Sequence, residues 1–155
     1  MASKQDELRL HEDAYREFRS LVGAVDPVLF EERWLDGRWG VREIVAHLAG
    51  WHRELADGFE RMLRGERPTP EGVDLTDIQH WNDIFAAAAR DKDKAQILAE
   101  FDAQVERFRN LAAQLPDDRF GSSKTANKMF ERAGTGHLRL HAAIIRRWLD
   151  LRVAA

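Results

Sequence analysis

Residues 136–149 read GHLRLHAAIIRRWL. At about 100° per residue, a helix over this stretch puts His137, His141, Ile144, Trp148 and Leu151 on one stripe. Arg139, Arg146 and Asp150 fall on the opposite side. Two imidazoles one turn apart therefore face a core while the charges face water. Two His at i and i+4 on one helix face are well placed to share a metal ion. The blander reading is two core histidines with local hydrogen-bond partners, and for this spacing alone it is the commoner one. A metal site needs a third ligand and a bundle to carry it.

The chain has 155 residues, enough for one domain with a core of its own, and a single domain over 1–155 is the expectation. Apolar residues make up 44% and charged residues 33%, an ordinary globular balance. Net charge is −3 and the pI is about 6.1, which argues against a nucleic-acid partner and its usual basic patch. The absence of Cys rules out disulfides, Cys-ligated zinc and thiol catalysis by the protein's own side chains. MASKQDELRL at the N-terminus lacks the apolar run of a signal peptide, and no run reaches the roughly 18 residues of a membrane span. A cytoplasmic protein that does not contact membranes is the expectation.

Lys4–Val22 is predicted to be the first helix, with Leu8, Tyr15, Phe18 and Val22 on a stripe that includes His11. Glu7, Glu12, Arg16 and Arg19 lie off it. Gly23, Asp26 and Pro27 end or kink it. Phe30–Gly40, FEERWLDGRWG, reads as a linker. Val41–Arg64 is the second helix, its buried face made by Val41, Ile44, Val45, Leu48, Leu55, Phe59 and Met62. His47 falls on the flank of that face and His52 nearer its centre, so periodicity favours His52 as the inward imidazole. GERPTPEG (65–72) breaks the helix. Asp74 or Thr76 is placed to cap a shorter helix to about Ala89, with Ile78, Trp81 and Phe85 on one face and Asn82 beside it. An Asn there either bonds a neighbour or points into a pocket, because burying it unpaired is costly. Asp93–Leu115 is the third long helix. Residues 117–135 read as polar and irregular, with a turn or two near Lys128–Ala133 and Thr135 as a cap for the last helix, which runs to about Arg152.

Nothing reads as a strand. Four long amphipathic helices make an all-α four-helix bundle the expected fold. The connections, about 18 to 28 residues, are long for hairpins between neighbours, which favours crossover connections.

These residues resemble the DinB-like four-helix-bundle superfamily, and its DfsB-type branch in particular. WGVREIVAHLAGWHRE (39–54) is similar to the signature W-x-V-x-E-x-x-x-H-x-x-x-W. GHLRLHAAIIRRWL resembles the family's C-terminal H-x-x-x-H-x-x-x-I helix. HWNDIFAAAARDKDKAQILAEFDAQVERF (80–108) is similar to the W-N segment and third helix of the DfsB branch. That branch includes a protein protecting bacteria against their own DNA-alkylating toxin, and the superfamily includes thiol-dependent isomerases and transferases. The resemblance implies metal ligands at His47, His137 and His141, and it prefers His47 over the runner-up His52 because the family's ligand precedes a Trp by one turn. Some branches lose these histidines; this chain keeps all three.

Three imidazoles without a thiolate suit Zn²⁺ or Ni²⁺ and leave a position for water or substrate. Any sulfur nucleophile has to be a low-molecular-weight thiol cosubstrate. The expected function is a metal-dependent thiol transferase or hydrolase acting on a small electrophilic or toxic molecule. Its rival is a non-catalytic, metal-free bundle that binds such a molecule for self-protection or serves in interactions. Trp51 and Trp81 are candidate pocket walls, and Asn82 could orient a polar group. Glu43 is a weak candidate for a base or a partner to His47, against the commoner reading as a solvated Glu. By analogy with related bundles, a homodimer is expected.

Overall fold

The computed structural model describes residues 3–120 and 124–154. Its α-helices are, in order, α1 (Lys4–Gly23), α2 (Pro27–Glu31), α3 (Val41–Leu63), α4 (Ile78–Ala88), α5 (Lys94–Gln114), α6 (Thr125–Lys128) and α7 (Gly136–Ala154). A 3₁₀ turn, Asp117–Phe120, precedes α6, and a π-helical stretch, Met129–Thr135, joins α6 to α7.

Side chains at the helix starts take up the free N–H groups. Ser3 and Asp6 bond reciprocally at α1, and Asp93 and Gln96 do the same at α5. Glu43 accepts the Gly40 N–H at the start of α3. The four long helices α1, α3, α5 and α7 form the bundle. α1 packs on α7 and α5, and α3 packs on α5 and α7. Consecutive long helices α1 and α3 thus sit on a diagonal, as do α5 and α7, so those two connections cross over as expected, whereas the longest connection, which carries α4, joins the neighbours α3 and α5. α4 docks on α3 through Phe85, which lies so close to Gly50 that a Cβ there would stand 2.2 Å from the ring.

The apolar core has two clusters. One gathers Phe18, Phe30, Ile44, Leu48, Phe101 and Ile145; the other gathers Phe59, Phe108, Phe120 and Phe130. His52 lies at the seam, its ring against Phe101 of the first and Phe108 of the second.

Several local expectations change. Pro27 opens a short helix capped by Asp26, as its fixed φ allows at a first turn. The cap of α4 is Asp77, which accepts the His80 N–H, and Asp74 instead accepts from Thr76. Residues 125–135 are helical, and Thr135 lies inside the π-helical stretch with its hydroxyl buried rather than capping α7. The buried stripe of α7 is Leu138, Ala142, Ile145 and Trp148, one residue on from the expected one. Leu151 is exposed, and His137 and His141 flank the core. Glu7 is buried, because the π-helical stretch packs on α1. Burial raises its carboxyl above the usual range, with the nearby charge of Glu131 adding to the effect.

Candidate metal centre

His47 is in the second turn of α3, and its Nδ1 lies 2.7 Å from the Ile44 carbonyl. A carbonyl can only accept, so Nδ1 carries the proton and Nε2 a lone pair. That Nε2 stands 3.1 Å from Nε2 of His137 on α7. His141, one turn further on, closes a triangle whose ring centroids are 4.8, 4.6 and 4.8 Å apart. One donor nitrogen from each ring lies within 4.8 Å of the others. His47 is fully buried, and Trp39 packs against its ring.

Burial holds all three imidazoles neutral. It pushes His47 well below its usual range, and His141 and His137 add to the push. Burial brings His137 down to about 4, against the opposing effect of a hydrogen bond from its ring to the Ala133 backbone carbonyl. Burial, with His137 beside it, takes His141 down to about 3. The neutral form is the one that ligates a metal.

The donor set fits such an ion. Nδ1 of His141 is buried without a hydrogen-bond partner among the described residues. An unsatisfied buried polar group costs about 1–3 kcal/mol, which a bound cation or water would offset. Nitrogens about 2.0–2.1 Å from one tetrahedral ion stand about 3.3 Å apart, so the His47–His137 spacing is already close. Three protein ligands leave a further position for another molecule.

His137 also lines a cleft of about 430 Å³. Its walls are mainly apolar: Trp51 and Leu55 from α3, Leu75 and Ile78 from the far side, and Met129 from the π-helical stretch. Glu54 and Arg132 are its charged lining residues. Trp51 donates its indole N–H to Oδ1 of Asn82 at 2.7 Å.

The other candidates have different places. Trp81 does not line this cleft; it donates to the Asp74 carbonyl and holds the loop before α4. Glu43 is buried rather than solvated, and its Oε1 accepts the Gly40 N–H at the start of α3. His52 lies away from the triangle. Its Nδ1 donates to the Leu48 carbonyl at 2.7 Å, and its Nε2 stands 3.1 Å from Nε2 of His11. That pairing had no signal in either helix alone, since nothing in α1 or α3 says which faces meet. Met129 and Arg132 were missed as cleft residues because they sit in a stretch whose polar composition hides its helical course.

Residues 10–145 match the model of the DinB superfamily. The chain belongs to the DinB superfamily. The fold is similar to that of an uncharacterised protein from Escherichia coli UTI89, with a TM-score of 0.84 at 16% identity over 98% of this chain and 95% of that one. It is also similar to the colibactin self-resistance protein ClbS in complex with double-stranded DNA, with a TM-score of 0.82 at 14% identity over 95% of each chain. A third neighbour is the sibling lethal factor precursor DfsB, at a TM-score of 0.81 and 18% identity over 98% of each chain. No curated protein matches the sequence. The expected likeness to the DfsB branch is thus met in the fold. The exclusion of nucleic acid on net charge is corrected: the ClbS neighbour is held on a DNA duplex. Net charge averages over unlike ends of the chain and so does not by itself exclude such a partner. Among the described residues no helix is long and apolar enough to cross a membrane.

Proposed function

We propose that this DinB-superfamily chain binds and disarms a small reactive molecule in the cleft that ends on His137. The observation that carries this is the meeting of three neutral imidazoles at the edge of an apolar cleft. Two forms of the reading differ in chemistry. The ClbS and DfsB neighbours favour self-protection by binding, without need of a metal. The imidazole triangle favours metal-dependent turnover, with His47, His137 and His141 holding Zn²⁺ or Ni²⁺. Bound there, the ion would supply positive charge that acidifies a nucleophile of the water or thiol class.

The chain's own residues would then act as follows. The Ile44 carbonyl fixes the His47 tautomer, so that its lone pair faces α7. Trp51, held by Asn82, and Leu55 exclude water from one side of the bound molecule. The thiol, where one is used, comes from outside, because the chain has no Cys.

The DNA held by ClbS supports a second reading, in which the reactive molecule is met on nucleic acid. Residues 119–155 carry eight Lys and Arg against two acidic side chains, while the whole chain has a net charge of −3. A basic C-terminal part is the kind of feature that engages phosphates.

Metal content of untagged protein, beside a His137→Ala, His141→Ala double variant, tests the metal. About one zinc or nickel per chain, lost in the variant, supports turnover. Consumption of a strained-ring electrophile, with and without added thiol, then separates catalysis from stoichiometric binding. Protein that neither binds nor consumes such electrophiles would overturn the proposal in both forms.

A further inference from the structure

We infer that the cleft beside His137 takes an amphipathic organic acid, its apolar body against Trp51, Leu55 and Met129 and its anionic end at Arg132. This deepens, and rests on, the reading of the cleft as a small-molecule site.

The body of the ligand follows from the walls. At about 430 Å³ the cleft is within the size range of small-molecule pockets. Ile78, at its rim, is 53% exposed, so apolar surface is left in contact with water there. Covering such surface is favourable in proportion to its area. Trp51 has one hydrogen-bond donor, and Asn82 already uses it. The indole can therefore offer the ligand only its carbon surface.

The anionic end follows from charge. Lys124, just before α6, Lys128 at its end and Arg132 in the π-helical stretch recur every four residues, and all three are exposed. Such spacing places side chains along one ridge. Thr125, Met129 and Ala133, each one residue on, line the cleft together with Arg132. None of the three cations forms an ion pair among the described residues. The opposing charge on the wall is the single carboxylate of Glu54. The lining itself holds one cation, Arg132, and one acid, Glu54. Lys124 and Lys128 stand outside the lining on the same side as Arg132, with Glu131 as the acid beside them, so the positive end of the cleft is at Arg132. A guanidinium at such a boundary suits the planar, two-oxygen geometry of a carboxylate. A phosphate backbone would meet the same cations but has no apolar body to fill the cleft.

Calorimetric titration of the full chain with decanoate, decanol and decylamine tests this. Decanoate should bind about tenfold more tightly than decanol, and decylamine more weakly than either. The Lys128→Gln, Arg132→Gln double variant should bring decanoate to the affinity of decanol while leaving decanol unchanged. Both positions are exposed, so folding is not at stake. Ile78→Asp, also at an exposed position, should weaken decanoate more than decanol. Equal affinities for the three probes, no binding, or a preference that survives the double variant would overturn the inference. Displacement of decanoate by a short DNA duplex would assign the cations to a phosphate backbone and overturn it too. Acid preference without electrophile binding or consumption would sink the proposed function and leave this inference standing; electrophile consumption without acid preference would do the reverse.

Discussion

The two imidazole clusters share one construction and differ in what surrounds it. His47 and His52 both sit on α3, and each gives its Nδ1 proton to a carbonyl about one turn back. Each then faces another imidazole, Nε2 to Nε2, at 3.1 Å. Around His52 and His11 the space is filled. Both are fully buried, with Phe101, Phe108 and Phe130 against their rings. A Cβ on Gly134 would come within 3.1 Å of the His11 ring. One proton joins this pair, with His11 donating through Nε2 and His52 accepting, while Nδ1 of His11 is buried without a partner among the described residues. Around His47 a third ring joins, and a cleft leads away from its partner His137. The same anchored histidine is a core hydrogen bond in one place and a candidate ligand in the other. Packing decides which, not the helix that carries it.

Breaking the sealed pair on one side should have the largest effect. His11→Leu leaves the lone pair of His52 buried without a donor and should cost about 2–4 kcal/mol in urea unfolding. Replacing both residues with Leu removes donor and acceptor together and should cost less than the single change. Were the double variant to lose the sum of the two single losses, the pair would not be a hydrogen-bonded unit. His137→Ala, at a partly exposed site, should cost no more than about 1 kcal/mol without metal.

Added zinc sharpens the contrast from the other side. At a free concentration of about 100 times its dissociation constant it should stabilise the chain by about 2.7 kcal/mol. The His11→Leu, His52→Leu variant should keep that gain, and the His137→Ala, His141→Ala variant should lose it. A gain lost equally in both would show that the clusters do not act separately.

Acid should act on both clusters in one direction. Burial, the largest cause, takes His52 down to about 4 and His137 to about 4 from the usual 6.5. Between those values the unfolded chain binds more protons than the folded one. Stability from these groups is therefore complete above about pH 6.5 and falls as the pH drops towards 4. The urea midpoint should decline across that window, and the double Leu variant should decline less. An identical slope in both proteins would mean that the sealed pair contributes nothing to acid sensitivity.

Much of this was readable in the sequence, and the misses have physical causes. Heptad-like spacing placed the four long helices, since each has to bury one face. The His-x-x-x-His pair on α7 was visible because both residues belong to one helix. Choosing His47 over His52 needed the family's pattern, since periodicity pointed the other way. Both imidazoles turn out to be buried, because α3 is covered by α4 as well as by the bundle. A helix packed on more than one side does not obey a one-stripe reading. The His11–His52 pair joins residues 41 apart, and no local pattern encodes such a meeting.

The smallest predicted effect concerns what keeps one cluster open while the other is closed. Phenylalanine packing seals the His11–His52 pair from several sides. The wall of the cleft beside His137 depends instead on Trp51, which is tied to α4 by one hydrogen bond to Asn82 and meets Phe85 edge-on. Asn82→Ala removes the acceptor of the Trp51 N–H and should cost about 1 kcal/mol. α4 packs chiefly on α3, so the loss should stay local. Amide exchange should quicken over Ile78–Ala88 and stay unchanged around His11 and His52. Asn82→Asp keeps an oxygen for the indole and should restore most of the protection. Faster exchange throughout α1 and α5 would mean that the wall and the sealed core form one cooperative unit, and the difference between the two clusters would then lie in side-chain packing alone.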